Sequence, residues 1–280
     1  MAKRKVNTGS KLKNWRSNLI WTAAMLAIAG LLFMAIERKK NAQVSKIAIG
    51  IKKIKGGKNL VSQKGIKTMF NNYLGYSLDE STISDLDLMD MEAMLEKDDR
   101  IKGAEVYVDN KDRLFIIITQ REPIVRVMNS GGSSYYLDVD GKEIPAYRGS
   151  TIRVPIVSGN IEKYDPELLT SDKSSNLKDV FTLSKFIHED EFLSALIEQI
   201  NVEDNNEVIL IPKLGRQKLD FGTVEDVEAR FEKLKLMYRE GMEHVGWRKY
   251  NTLTLKYDLK EGKDGKDREL IFGTKNNERN

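Results

Sequence analysis

Cysteine is absent from this chain of 280 residues. Its absence excludes disulfides, thiolate nucleophiles and cysteine-ligated metal sites. It leaves the compartment open, because a cysteine-free domain suits cytosol and periplasm alike. Histidine is nearly absent too, with only His188 and His244. Each is expected near a helix end, where an imidazole meets the negative pole of the dipole. Neither has a second ligand at metal-binding spacing, and His188-Glu189-Asp190-Glu191 reads as a solvated acidic corner. Acid is missing from the front of the chain: residues 1–60 hold 14 of the 46 Lys and Arg, and Glu37 is their only acid. The other residues carry 32 basic against 41 acidic side chains, so the formal net charge of +4 belongs to the front. An acidic body argues against nucleic acid as a partner, since such proteins carry a basic face on the folded domain.

Catalytic motifs are lacking as well. No G-x-S-x-G elbow occurs. Asp138-Val139-Asp140-Gly141 resembles the start of a calcium loop, but its glycine comes two places early and Glu143 is too near to be the closing glutamate. Between Gly50 and Lys58 the glycine spacing departs from a phosphate loop, and Asn59 stands where Ser or Thr would hold magnesium. No internal repeat or long low-complexity run is present. The expectation is a protein without cofactor, metal or small-molecule substrate, and not an enzyme.

One feature is plainly there. Between Arg16 and Glu37 runs "SNLIWTAAMLAIAGLLFMAI", free of charge. Its length of about 20 residues is what a helix rising ~1.5 Å per residue needs to cross a hydrocarbon core of ~30 Å. The span is placed at 19–36, with Leu19, Trp21, Leu26, Leu31, Phe33 and Ile36 as lipid-facing anchors and Trp21 near headgroup level. A buried core helix rarely lacks polar positions for so long. Ala27-Ile28-Ala29 offers a signal-peptidase pattern, but cleavage there would leave Gly30-Leu31-Leu32-Phe33-Met34 as a greasy terminus. An uncleaved single-span anchor is expected, after a basic tail at 1–18. Basic residues flank both ends (Lys3 to Arg16 before, Arg38 to Lys55 after), so the positive-inside rule alone does not orient the span.

From Lys46 the pattern is strand, helix, helix, strand, strand. "KIAIGIKK" alternates like a half-buried strand. Ser62 is placed to cap a helix with Ile66, Met69, Phe70 and Tyr73 on one face, and Gly75 stops it. Asp87 caps a second helix carrying Leu88, Met91 and Leu95. Strands at 104–108 and 114–119 follow, joined by Asp109-Asn110-Lys111-Asp112, a turn composition. This βααββ unit, assigned to 44–121, ends at Arg121-Glu122-Pro123. A charged pair and a proline suit a joint between two units better than the middle of a sheet. Pro123 fixes the exit direction, and Arg121 and Glu122 are expected to keep the joint wet.

Beyond the joint, a domain at 122–260 is expected to mix short strands with flanking helices. "YYLDVDGKEIP" reads as a hairpin around Asp140-Gly141, and "RVPIVSGN" as a strand closed by glycine. A helix is expected at 176–188, with Leu177, Val180, Phe181, Ser184 and Ile187 along one side. Strands follow at 197–202, 207–211 and 218–221. Thr223, with Asp226 three residues on, opens a helix reaching Gly241 with the stripe Val224, Val227, Phe231, Leu234 and Tyr238. "NTLTLKYDL", 251–259, is the last periodic piece, and 261–280 is a charged, glycine-rich tail expected to be flexible. The fold class is α+β.

Four segments in this order carry a resemblance: "TQREPIVRV", "YYLDVDGKEIP…RVPIVSG", "KLDFGTVEDVEARFEKLKLMY" and "TLTLKYD". With the basic tail and single span, the chain resembles the FtsQ/DivIB family of bacterial division proteins from about Lys11 to Leu259. The stretch around 163–176 and the charged tail depart from the family pattern. The resemblance implies that 44–121 is a POTRA (polypeptide-transport-associated) domain and 122–260 the family's β domain. It further implies a non-catalytic divisome scaffold that helps regulate septal peptidoglycan synthesis. The tail would be cytoplasmic and the body outside the inner membrane, at the midcell septum. Its partners would be the single-span coiled-coil proteins FtsB and FtsL, added as a strand to the last β-domain strand. Tyr257 falls at the family's partner-contacting tyrosine. Leu253, Leu255, Lys256 and Tyr250 accompany it as partner-binding candidates, although the two leucines suit the strand's own core better. The competing reading is a POTRA-bearing component of polypeptide transport or outer-membrane assembly, which would use the βααββ edge. An anchored periplasmic hydrolase lacks its catalytic constellation.

Overall fold

The computed structural model describes residues 9–55, 59–129, 131–146, 152–241, 250–256, 260–261 and 268–269. The chain divides into two compact units. The first comprises residues 1–51, 62–97 and 103–118, and the second 52–61, 98–102 and 119–280.

The first unit opens with helix α1, Gly9–Lys40. Its stretch Asn18–Glu37 is long and apolar enough to cross a bilayer, and none of that window is buried in the protein. Leu19, Trp21, Leu26, Leu31, Phe33 and Ile36 all point outward, as lipid-facing side chains do. The expected span is thus the middle of a longer helix. After it come β1 (Lys46–Lys52), α2 (Gln63–Leu74), α3 (Leu88–Glu96), β2 (Ile101–Val108) and β3 (Arg113–Gln120). The sheet order is β1-β3-β2. Both helix starts follow from their caps. The Ser62 hydroxyl accepts the Gly65 N–H at 3.1 Å and the Asp87 carboxylate accepts the Asp90 N–H at 3.1 Å. Gly75 ends α2 in the left-handed region at φ 79°. Ile66, Phe70, Met91 and Leu95 turn inward, whereas Tyr73, expected on that face, is exposed. The helical stripe ends a turn early because α2 stops at Leu74. Two single 3₁₀ turns, at Leu78–Glu80 and Ile83–Asp85, fill the interval that composition alone left unassigned.

The second unit is built on an eight-stranded mixed sheet. In chain order its elements are β4 (Pro123–Met128), β5 (Ser134–Asp138), β6 (Glu143–Pro145), β7 (Ile156–Gly159), α4 (Pro166–Thr170), α5 (Asn176–Glu189), α6 (Glu191–Leu196), β8 (Ile197–Val202), β9 (Val208–Pro212), β10 (Lys218–Gly222), α7 (Val227–Leu236) and β11 (Thr252–Thr254). A short pair, β12 (Lys260–Glu261) with β13 (Arg268–Glu269), follows within the region expected to be a flexible tail. The sheet order is β11-β10-β9-β8-β7-β4-β5-β6. Strands β4, β7 and β8 are mutually parallel, and β10 pairs with β11 in parallel. One cluster fills the interior, joining Val125, Val127, Val157, Ile200 and Leu210 of the sheet to Leu177, Val180, Leu183 and Ile187 of α5 and Phe231 and Leu234 of α7.

The stretch at 163–176, which departs from the family pattern, has a packing role. The Tyr164 hydroxyl donates to the Gly141 carbonyl at 3.2 Å and accepts the Glu143 N–H at 3.3 Å, clamping the β5–β6 hairpin. The Glu162 carboxylate accepts the first N–H groups of α5, from Asn176 and Leu177. The start of α7 differs from expectation. Asp226 is left-handed at φ 46° with no side-chain cap, and the helix begins at Val227 rather than at Thr223. The Arg230 guanidinium explains the delay, since it donates to the Phe221 and Thr223 carbonyls and holds 221–226 as a loop.

The joint is half-buried rather than wet. The Arg121 guanidinium donates to the Asp138 carboxylate at 2.9 Å, with side-chain exposures of 19% and 0%. The other Asp138 oxygen accepts the N–H groups of Asp140 at 2.9 Å and Lys142 at 2.7 Å. Glu122 faces His188 Nε2 at 3.1 Å, and its carbonyl accepts the Val139 N–H at 3.1 Å. Pro123 opens β4 opposite Asp138, where no ladder N–H is lost to it. The Gln120 amide, buried, accepts the Val61 N–H and donates to the Lys52 carbonyl, tying 52–61 to the end of β3. So Arg121 and Glu122, expected to be solvated, are half-buried in the second unit and paired with Asp138 and His188.

Two variants test this account. Asp138→Ala leaves a cation without its partner in a half-buried site, so chemical denaturation should show a loss of about 3–5 kcal/mol. Gly159 sits at φ 105°, and a Cβ there would lie 1.9 Å from the Val202 carbonyl oxygen. Gly159→Ala should therefore destabilise by about 3 kcal/mol or more. Gly131→Ala, where a Cβ meets nothing within 4 Å, should be neutral in the same denaturation experiment.

Candidate partner-binding edge

Strand β11 lies at one end of the second unit's sheet. Its register on β10 is Lys218↔Thr252, Leu219↔Leu253 and Asp220↔Thr254. Lys218 donates its N–H to the Asn251 carbonyl at 2.9 Å, and Leu255 donates to the Asp220 carbonyl at 2.8 Å. The main-chain groups of residues 251, 253 and 255 are therefore spent on β10. With a period of two, Thr252 and Thr254 aim their N–H and C=O groups the other way. Among the described residues no strand lies on that side.

Side chains follow the same alternation. Leu253 and Leu255 are each 1% exposed, in the core with Leu219 and Phe221. They are corrected from partner contacts to anchors, since burial removes their side chains from any partner's reach. Tyr250 is half-buried against the same core. Tyr257, Asp258 and Leu259 lie outside the described residues, as does His244. His188 is at the end of α5 as expected.

Lys256 holds the strand's far end. Its ammonium lies 3.3 Å from the Glu207 carboxylate and 3.2 Å from Asp220 Oδ2. Burial works against its charge, but hydrogen bonds to Asp220 and Glu207 outweigh it and hold the ammonium above the usual lysine range. Its stem crosses Gly222, where a Cβ would come within 2.8 Å of Lys256 Cβ. Gly222 also has φ 77°, so the site demands glycine twice over. Glu207, Asp220 and Gly222 were not singled out from sequence. Each is distant along the chain from Lys256, and no spacing marks such a pairing.

The other sheet treats an edge differently. On β2, the Val106 N–H donates to the Glu92 carboxylate at 2.7 Å and the Ala104 N–H to Glu96 at 3.3 Å. Two glutamates of α3 thus occupy the donors that an added strand would need. Among the described residues no group of three or more His, Cys, Asp or Glu could hold a metal ion.

No curated protein matches the chain at a significant level. The model of the FtsQ/DivIB, C-terminal related family matches residues 122–260, from the joint through β11 to the first residue of β12. Through this domain the chain belongs to the FtsQ/DivIB family of cell-division proteins, a family known as non-catalytic.

Proposed function

We propose that this chain is a membrane-tethered divisome scaffold whose second unit receives a strand from an FtsB- or FtsL-like partner along β11, helping to regulate septal peptidoglycan synthesis. The observation that carries the reading is the outward main chain of Thr252 and Thr254, held in place by buried leucines on one side and the Lys256 ion pairs at the end. An unpaired edge is an aggregation hazard unless it has a resident occupant. Partners held in the same bilayer reach it at high effective concentration, so a small interface suffices. In this reading residues 44–121 form a POTRA domain, residues 1–18 face the cytoplasm, and the folded body after the span lies outside the inner membrane at midcell. The transport alternative would have to use β1, the other edge of the three-stranded sheet, since Glu92 and Glu96 stand on the donors of β2.

Thr254→Pro tests the edge directly. It deletes an N–H that β10 does not use, so circular dichroism and melting temperature should stay nearly constant while partner co-purification is lost. Undiminished capture would remove β11 as the docking strand. Tyr257→Ala should likewise weaken capture without unfolding. Lys256→Met leaves Asp220 and Glu207 without their cation and should cut partner affinity on the order of tenfold, measured by biolayer interferometry with the full chain in nanodiscs. A fluorescent fusion should concentrate at midcell, whereas a uniform envelope signal would favour transport.

A further inference from the structure

The second unit holds a cleft that β11 does not touch. It opens at the starts of the three parallel strands β4, β7 and β8, under the end of α5 and beside α6, with a volume of about 460 Å³. That is the size of a site for one or two amino-acid residues. Its floor is apolar: the partly exposed Val154, Pro155 and Ile156 line it, backed by the buried Ile124 and Ile187. Its rim carries Arg153 and Lys213. Arg153 forms no hydrogen bond or ion pair among the described residues, and its guanidinium is a planar fork shaped for a carboxylate. Lys213 is fixed at the rim by donating to the Ser194 carbonyl at 3.0 Å, which occupies one of its three N–H bonds. His188 also lines the cleft, but its Nε2 faces Glu122 at 3.1 Å. The one acid at the rim is Glu198.

Two cations above an aliphatic floor are unexpected on a body whose formal balance is acidic. We infer that this cleft is a second binding site, which takes a peptide segment presenting an acidic side chain next to an aliphatic one. The carboxylate lies between Arg153 and Lys213, and the aliphatic neighbour covers Val154, Pro155 and Ile156. The apolar floor separates this ligand from a free anion, which gains nothing from it. Glu198 sets the charge limit, because a doubly charged group would meet a like charge at the rim. The site is independent of the strand addition proposed for β11.

The test uses the full chain in lipid nanodiscs, with empty nanodiscs as the blank, and saturation-transfer NMR on two probes. N-acetyl-leucyl-glutamate amide should give a signal at least about tenfold above N-acetyl-leucyl-glutamine amide, the difference of one charge-assisted pair. Arg153→Ala and Lys213→Ala should each lower the glutamate signal several-fold while circular dichroism stays unchanged, because both side chains are exposed. Glu198→Gln should raise it. Equal signals from the two probes, or a signal that survives Arg153→Ala, would overturn the inference. So would complete displacement by equimolar inorganic phosphate, which would mark a free-anion site. Capture of the β11 partner by Arg153→Ala should be normal, so failure here leaves the edge reading intact.

Discussion

The buried carboxylate of Asp138 receives a guanidinium and two main-chain N–H groups, and the entry to the second unit is organised around it. A carboxylate at 0% exposure is tolerated only when its lone pairs are satisfied. Here one oxygen shapes the 138–142 turn while the other holds Arg121, the residue before Glu122 and Pro123. The β5–β6 hairpin and the first residue of β4 are thereby fixed by the same group. Once β4 is placed, β7 and β8 follow in parallel on one side of it and β5 on the other. Asp138 thus acts on register as much as on stability, because a slip of one residue at β4 would turn its alternate side chains out of the core.

The period of two does opposite work at the far end of that sheet. In β11 it buries Leu253 and Leu255 and at the same time turns the main chain of Thr252 and Thr254 outward. Anchoring and outward direction are therefore not in conflict: the residues that hold the strand to its core are not the ones that turn their donors away from β10. Lys256 adds an end stop, with its stem over Gly222 and its ammonium between Glu207 and Asp220. A strand of three residues with one neighbour would fray without such a stop.

Local signals in the sequence were strong enough to place most elements. Ser62 and Asp87 cap helices because a short side-chain oxygen reaches the N–H three residues on, and nothing distant competes. The alternation at 218–221 and 251–255 marks both strands but leaves Leu253 and Leu255 between core and partner contact. The failures share a physical cause. Arg121 and Glu122 look solvated in sequence because charge usually is, and only Asp138 and His188, distant in the chain, make their partial burial tolerable. Thr223 and Asp226 have the spacing of a cap, but Arg230 binds the carbonyls of the same loop and prevents it. Likewise, no pattern in 163–176 reveals that Tyr164 will clamp the Gly141 turn. Polar pairings across tens of residues carry no periodicity, so they stay invisible until the chain is folded.

The two sheets deal with their edges by different means, and the difference bears on function. An edge donor can be satisfied by water, by a side chain or by another strand. On β2 the side chains of Glu92 and Glu96 have taken that role, and an incoming strand would have to expel two carboxylates to pair there. On β11 the flanking side chains are threonines, too short to reach round to their own outward N–H groups in extended geometry, and the nearest long one, Lys256, has only donors to offer. Its ammonium is in any case directed to Glu207 and Asp220. Among the described residues nothing supplies an acceptor for the outward N–H groups of β11. Under the proposed function, a neighbouring chain held in the same bilayer would reach that edge at high effective concentration.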